Sequence, residues 1–203
     1  MVIGTGTIGE PLIGLLAEHK DALGLEEILF FKRTPFSDEK GKVEALLRKG
    51  AKIVSTSDVI SDFKKLGFSD IEDVEKAYKD AGVIIDCTPS GNENWENIYS
   101  TLDQSKRFMA QGSEHGFGPF FAWGINNDVL ENESNKYLIA SCNTHNIASI
   151  IKTFALDQSR ELVEGQFVCL RRANDVSQNE SFSPSPTITK HSNQEFGTHH
   201  ARD

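Results

Sequence analysis

The segment MVIGTGTIGEPLIGLLAEH, Met1–His19, decides the fold. A short apolar start leads into a turn with Gly4, Gly6 and Gly9 in the pattern G-x-G-x-x-G, and a helical pattern follows at once. The first glycine permits a tight turn, the second lets the backbone approach a pyrophosphate, and the third allows close helix–strand packing. The helix N-terminus then faces the phosphates. Pro11 falls in the first helical turn, where a missing N–H costs little. A tight turn without a ligand would use the same glycines, so context decides. Here a strand precedes, a helix follows, and a second apolar strand comes about 20 residues on. This context predicts dinucleotide binding.

Outward from that turn, strands alternate with helices. EEILFF reads as the second strand, and SDEKGKVEALLRKG as a helix ending at Gly50. AKIVSTS reads as the third strand. SDVISDFKKLG and SDIEDVEKAYKDAG read as two short helices, each opened by a Ser-Asp capping pair. GVIIDCTPSG is a buried strand meeting a turn, NENWENIYSTL a helix, and KRFMAQGSE and YLIASC two further strands. The alternation predicts an α/β fold with a doubly wound parallel sheet of Rossmann type. From Ala173 onward the chain is polar, and loop or weak edge structure is expected there.

The second strand ends FFKRTP, where an NAD site would place an acid for the ribose 2′-OH. Lys32 and Arg33 stand there instead. Two cations suit a 2′-phosphate, so NADP is favoured or both NADP and NAD are accepted. Solvated surface charges are the alternative.

The 203 residues, 38% hydrophobic and 25% charged, fit an ordinary globular protein. The net charge of −9 argues against nucleic acid or an anionic membrane as partner. Cys87, Cys142 and Cys169 are too scattered for a disulfide framework or a zinc site, so reduced thiols in a cytoplasm are expected, with no metal. The first strand is short against the usual length of about five residues, and the chain stops in a polar stretch. Both features predict a fragment, cut slightly at the front and heavily at the back.

Cys142 follows YLIAS and precedes Ile147, Ile150, Ile151 and Phe154, which fall on one helix face. It therefore sits at or just before a helix N-terminus, where the dipole and free N–H groups favour a thiolate. The same groups can donate to an oxyanion formed when sulfur attacks a carbonyl. A buried inert thiol fits Cys87 and Cys169 better. A dinucleotide site with a nucleophilic cysteine predicts aldehyde oxidation: thiolate addition, hydride transfer, then cleavage of a thioester. Arg171 and Arg172 end an apolar strand and predict an anion site, with a surface ion pair as the alternative.

GTGTIG, KRTP, QGSE, SCNT, LRRAND and THHARD occur in an order and spacing that resembles archaeal-type (type II) glyceraldehyde-3-phosphate dehydrogenase. The resemblance implies that Thr7 and Ile8 contact the cofactor pyrophosphate, that Gly112 lies by the nicotinamide-side ribose, and that Arg172 contacts the cofactor. It makes Cys142 the nucleophile, sets Ser141 and Asn143 beside the substrate, and gives His199 and His200 the substrate phosphate. It also implies a small phosphorylated aldehyde and inorganic phosphate as partners, a cytoplasmic homotetramer, and a place in glycolysis or gluconeogenesis. On this reading residues 1–140 form the NAD(P)-binding Rossmann domain. Residues 141–203 open an incomplete α+β catalytic domain. The family's general-base histidine belongs to a later strand, so the chain alone is expected to turn over little or not at all. The segment EHGFGPFFAWGINNDVLENESN looks unlike the family's, and His145 stands where a small or hydroxyl residue is common. A semialdehyde or acyl-phosphate reductase is the nearest alternative, and a non-enzymatic dinucleotide-binding redox sensor the alternative from another class.

Overall fold

The computed structural model describes residues 1–111, 114–158 and 161–168. These fall in two compact units. The first comprises Met1–Pro119 and Glu133–Leu138, the second Phe120–Asn132 and the residues from Ile139 onward.

In the first unit the chain runs through β1 (Val2–Ile3), α1 (Gly9–Glu18), β2 (Leu29–Phe31), α2 (Lys40–Arg48), β3 (Lys52–Ser55) and α3 (Ile60–Lys65). It continues through β4 (Ile71–Asp73), α4 (Val74–Asp80), β5 (Val83–Asp86), α5 (Gly91–Asn97) and β6 (Arg107–Gln111). Two more strands follow, β7 (Phe120–Phe121) and β8 (Lys136–Ile139), and then α6 (Cys142–Phe154). The first unit's strands lie in the order β4-β3-β2-β1-β5-β6-β8. Pairing is parallel from β4 through β6. The order reverses at β1 and β5, so a crevice opens beyond the carboxyl ends of those two strands, where open α/β sheets take their ligands. The Rossmann-type α/β fold is borne out.

Successive strand residues feed opposite faces, as a two-residue side-chain period requires. Val2, Phe30 and Ile53 pack with Ile13 and Ala17 of α1, Val43 and Leu46 of α2, and Phe63 of α3. Ile3, Leu29, Val54 and Ile84 pack with Ala77 and Tyr78 of α4, and with Tyr99, Phe108 and Phe117. Being buried on both faces explains why these strands read as continuous apolar runs. Gly50 follows α2 with φ +92°, as its reading as a helix stop requires.

Two local expectations are corrected. SDIEDV does not open a helix: Ile71, Glu72 and Asp73 pair with Ile53, Val54 and Ser55 as the edge strand β4. Asp73 is then the cap of α4, its carboxylate accepting from the Glu75 N–H at 2.9 Å. In front of α3 the capping position is Val59, with no side-chain acceptor, so Ser57 and Asp58 do not cap it.

In the second unit, β7 is held to the residue after β8, where the Ala140 N–H donates to the Phe121 carbonyl at 2.9 Å. Asn126 ties the following loop from both sides, accepting from the Ala122 N–H and donating to the Phe120 carbonyl. α6 clamps the tip of that loop, through His145 on the Trp123 carbonyl and Lys152 on the Gly124 carbonyl. No residue of α6 is fully buried, and Ile150 and Phe154 on its apolar face are exposed.

Candidate active site

The glycine turn follows β1 directly. Gly4 has φ +92°, a conformation that favours glycine, and its missing Cβ leaves room for Thr88. Gly9 opens α1 so close to the turn that a Cβ there would lie 2.0 Å from the Gly4 carbonyl oxygen. Gly6 is different: a Cβ there meets nothing within 4 Å. Gly6, Thr7 and Ile8 are exposed. Ile8 stands at the capping position of α1 and offers no side-chain acceptor, so the helix N-terminus is left to face a ligand. Two glycines used for packing and one open toward solvent are the arrangement a pyrophosphate needs, and these residues fit a dinucleotide.

The β5–α5 turn forms the other side of the crevice. β5 ends at Asp86, level with Ile3 of β1, and the Cys87 N–H donates to the Ile3 carbonyl at 2.8 Å. The Asp86 side chain is fully buried, yet it takes four hydrogen bonds and no ion pair among the described residues. One oxygen accepts from the Thr88 N–H at 2.8 Å and the Thr88 hydroxyl at 2.6 Å. The other accepts from the Asn94 amide and the Tyr99 hydroxyl, both at 2.7 Å. Burial, with Asp86 adding, pushes the Cys87 thiol up to about 12. Burial and the same carboxylate raise the Tyr99 phenol well above its ordinary value. Across the end of β6, Glu114 accepts from the Asn92 N–H at 2.7 Å, fastening the loop after β6 to the first turn of α5.

At the end of β2 the two cations part company. Lys32 is buried at 7% exposure, its ammonium paired with Glu39 and 5.9 Å from the centroid of the Phe36 ring. Arg33 is exposed and has no ion pair among the described residues. Sequence reading gave both the same standing; the difference comes from an acid seven residues on that only the fold brings back.

The second unit holds the cysteine. Cys142 is the first residue of the 13-residue α6 and is exposed, as its reading as a helix-start thiol requires. Its sulfur lies 3.9 Å from the Asn143 side-chain oxygen. Ser141 caps the helix, its hydroxyl 2.9 Å from that of Thr144 and accepting from the Thr144 N–H. Ser141 thus has a capping task in addition to any substrate contact. His145 turns its Nε2 to the Trp123 carbonyl at 3.1 Å. Gly112, Cys169, Arg171, Arg172, His199 and His200 lie outside the described residues. Among the described residues no cluster of His, Cys, Asp or Glu could hold a metal, and no helix is long and apolar enough to cross a membrane.

Sequence reading missed Asp86 and Glu114. Their only signals were an acid ending an apolar strand and the last letter of QGSE.

The fold, with its glycine turn at the switch point, defines an α/β protein of Rossmann type. Within that class the chain is similar to glyceraldehyde-3-phosphate dehydrogenases of archaea, as its motifs led one to expect. It is 29% identical over 204 residues to that of Sulfolobus acidocaldarius, covering 98% of this chain and 55% of the relative. With that of Sulfurisphaera tokodaii it shares 28% over 211 residues, covering 100% and 56%. The enzyme of Pyrobaculum calidifontis is 29% identical over 159 residues, 77% of this chain and 44% of the relative. The chain thus spans about half the length of the curated relatives it matches. No family profile matches it.

Proposed function

We propose that this chain carries the cofactor turn and the nucleophile of a phosphorylating glyceraldehyde-3-phosphate dehydrogenase that uses NADP or NAD. The observation that carries the reading is Cys142, exposed on the first turn of α6 in a chain similar to enzymes of that name. Its thiolate adds to the aldehyde carbon; a C–S bond forms and the carbonyl oxygen takes the π pair as an oxyanion, which collapses to the thioester carbonyl as this carbon gives up a hydride. A nicotinamide dinucleotide, which the glycine turn at Gly4, Gly6 and Gly9 would hold, would supply the acceptor for that hydride. Phosphate then attacks the Cys142 thioester, and the C–S bond breaks to give 1,3-bisphosphoglycerate and the free thiolate. Ser141 and Asn143 stand beside the sulfur to position the substrate. Gly112 and Arg172 complete the cofactor contacts, and His199 and His200 hold the substrate phosphate. Residues 1–140 serve the cofactor and residues 141 onward the substrate, in a cytoplasmic homotetramer of the whole enzyme.

Run backwards, the last step tests the nucleophile without cofactor. Mixed with 1,3-bisphosphoglycerate, residues 1–203 gain one 3-phosphoglyceroyl group on the peptide holding Cys142, and Cys142→Ser gains none. Acylation elsewhere, or none in the wild type, removes the reading. Steady oxidation of the aldehyde by this chain stays far below that of a full-length relative, because the general base the resemblance implies follows these segments.

For cofactor choice, Arg33 is the cation open to a 2′-phosphate, with Lys32 behind it. A guanidinium–phosphate contact is worth about 1.5–3 kcal/mol, roughly a tenfold to hundredfold change in affinity. Arg33→Ala is expected to weaken NADPH by that factor in a fluorescence titration and NADH by less than about twofold. Equal loss for the two cofactors removes the claim. Lys32→Met acts on NADPH more than NADH as well, but less than Arg33→Ala.

A further inference from the structure

We infer that Asp86 is a positioning residue for the dinucleotide crevice, acting through Thr88; this rests on reading the glycine turn as a cofactor site. A side-chain carboxyl with no cation beside it is costly to bury unless donors surround it, and here four do. Two come from Thr88 in the β5–α5 connection, one from Asn94 of α5 and one from Tyr99 in the turn just beyond that helix. A core needing only volume there would use an apolar side chain, so the carboxylate marks a fixed geometry.

What it fixes is the wall of the crevice. Thr88 is gripped at both its N–H and its hydroxyl by one carboxylate oxygen. The Thr88 oxygen in turn accepts from the Ser90 N–H at 3.2 Å. The methyl of the same threonine stands 3.1 Å from where a Gly4 Cβ would be, and the Cys87 Cβ stands 3.3 Å from where a Gly9 Cβ would be. The turn after β5 is therefore seated against the first and third glycines of the turn after β1. With Thr88 released, the two walls lose their register and the space over Gly6 changes shape. A shift of this kind weakens ligand binding more than its cost in stability implies, because the site depends on preorganised geometry.

The test compares Asp86→Asn with Lys106→Met in the full 203-residue chain. Asparagine keeps the shape but puts an amide donor among four donors. Lys106 is equally structural: it is buried, and its ammonium is held by the Lys79 and Ala81 carbonyls before β6, at the other end of the sheet. Both variants lower the melting temperature. Asp86→Asn raises the Kd for NADPH and NADH tenfold or more by fluorescence titration, whereas Lys106→Met leaves both within twofold. If the rise in Kd instead tracks the loss of melting temperature across the two variants, Asp86 is structural only and the inference falls. Where Asp86→Asn does not fold, Thr88→Val and Thr88→Ser replace it: valine raises Kd and serine restores it, and equal Kd values overturn the inference. A folded wild type that binds neither NADPH nor NADH overturns the cofactor reading itself and the inference with it.

Discussion

Replacing Gly9 with alanine destabilises the start of the molecule, whereas the same change at Gly6 leaves the fold intact and weakens dinucleotide binding. A Cβ on Gly9 would sit 2.0 Å from the Gly4 oxygen and 2.9 Å from the Gly4 carbon. Both are backbone atoms of a turn already at positive φ, so no flexible side chain can yield. The first turn of α1 has to move off β1, opening the packing of Ile13 against Val2 and Phe30. Overpacking of this kind costs about 2–4 kcal/mol. For a chain of this size that is a fall of about 5–15 °C in melting temperature. At Gly6 an added Cβ touches nothing within 4 Å, and stability should hold within about 0.5 kcal/mol. The methyl group now fills the path by which a pyrophosphate reaches the backbone, so NADPH and NADH bind at least about a hundredfold more weakly. Calorimetry and fluorescence titration on the two variants decide it. A Gly9→Ala protein that melts with the wild type refutes the packing role, and a Gly6→Ala protein that binds with wild-type affinity refutes the cofactor turn.

Gly4 and Gly9 were legible in the sequence because most of their constraint is the turn itself, which admits few residue types wherever it occurs. The cap at Gly50 and the placing of Cys142 at the start of α6 were legible for the same reason. β4 was not. Its residues Ile71, Glu72 and Asp73 are only half-buried and look like a capped helix start, and only the pairing with β3 makes them a strand. Lys32 was half legible. Its position at the end of β2 is right, but its ion pair with Glu39 depends on how the loop returns from β2 into α2. Asp86 was hidden because one acid at the end of an apolar strand has the same appearance whether it faces solvent or four donors. Residues whose role depends on partners distant in sequence, or across a loop, are those that a linear reading misplaces.

Cysteine chemistry separates the two described thiols by a wide margin. Treated with iodoacetamide at pH 7.5, the folded chain is alkylated at Cys142 and spared at Cys87. Cys142 is exposed at a helix start, so the reagent reaches its sulfur directly. Cys87 is half-buried beside the Asp86 carboxylate, and burial chiefly, with that negative charge, pushes its thiol up to about 12. The reactive species is the thiolate, and an ordinary cysteine ionises near about 8.5. At pH 7.5 the folded Cys87 is therefore more than about a thousandfold less ionised than the same residue in the unfolded chain. The direction follows from the charge: an acid raised in the folded state stays neutral there while its unfolded form ionises as pH climbs from 8 to 10. Raising the pH over that range should thus speed labelling of Cys87 in urea and leave it almost absent in buffer. Mass mapping of the two peptides with and without urea reads this out. Labelling of folded Cys87 within tenfold of its unfolded rate would show that the β5–α5 turn opens freely, which the Asp86 network forbids. A Cys142 that resists the reagent in the folded chain would remove it as the nucleophile, whatever the cofactor turn binds.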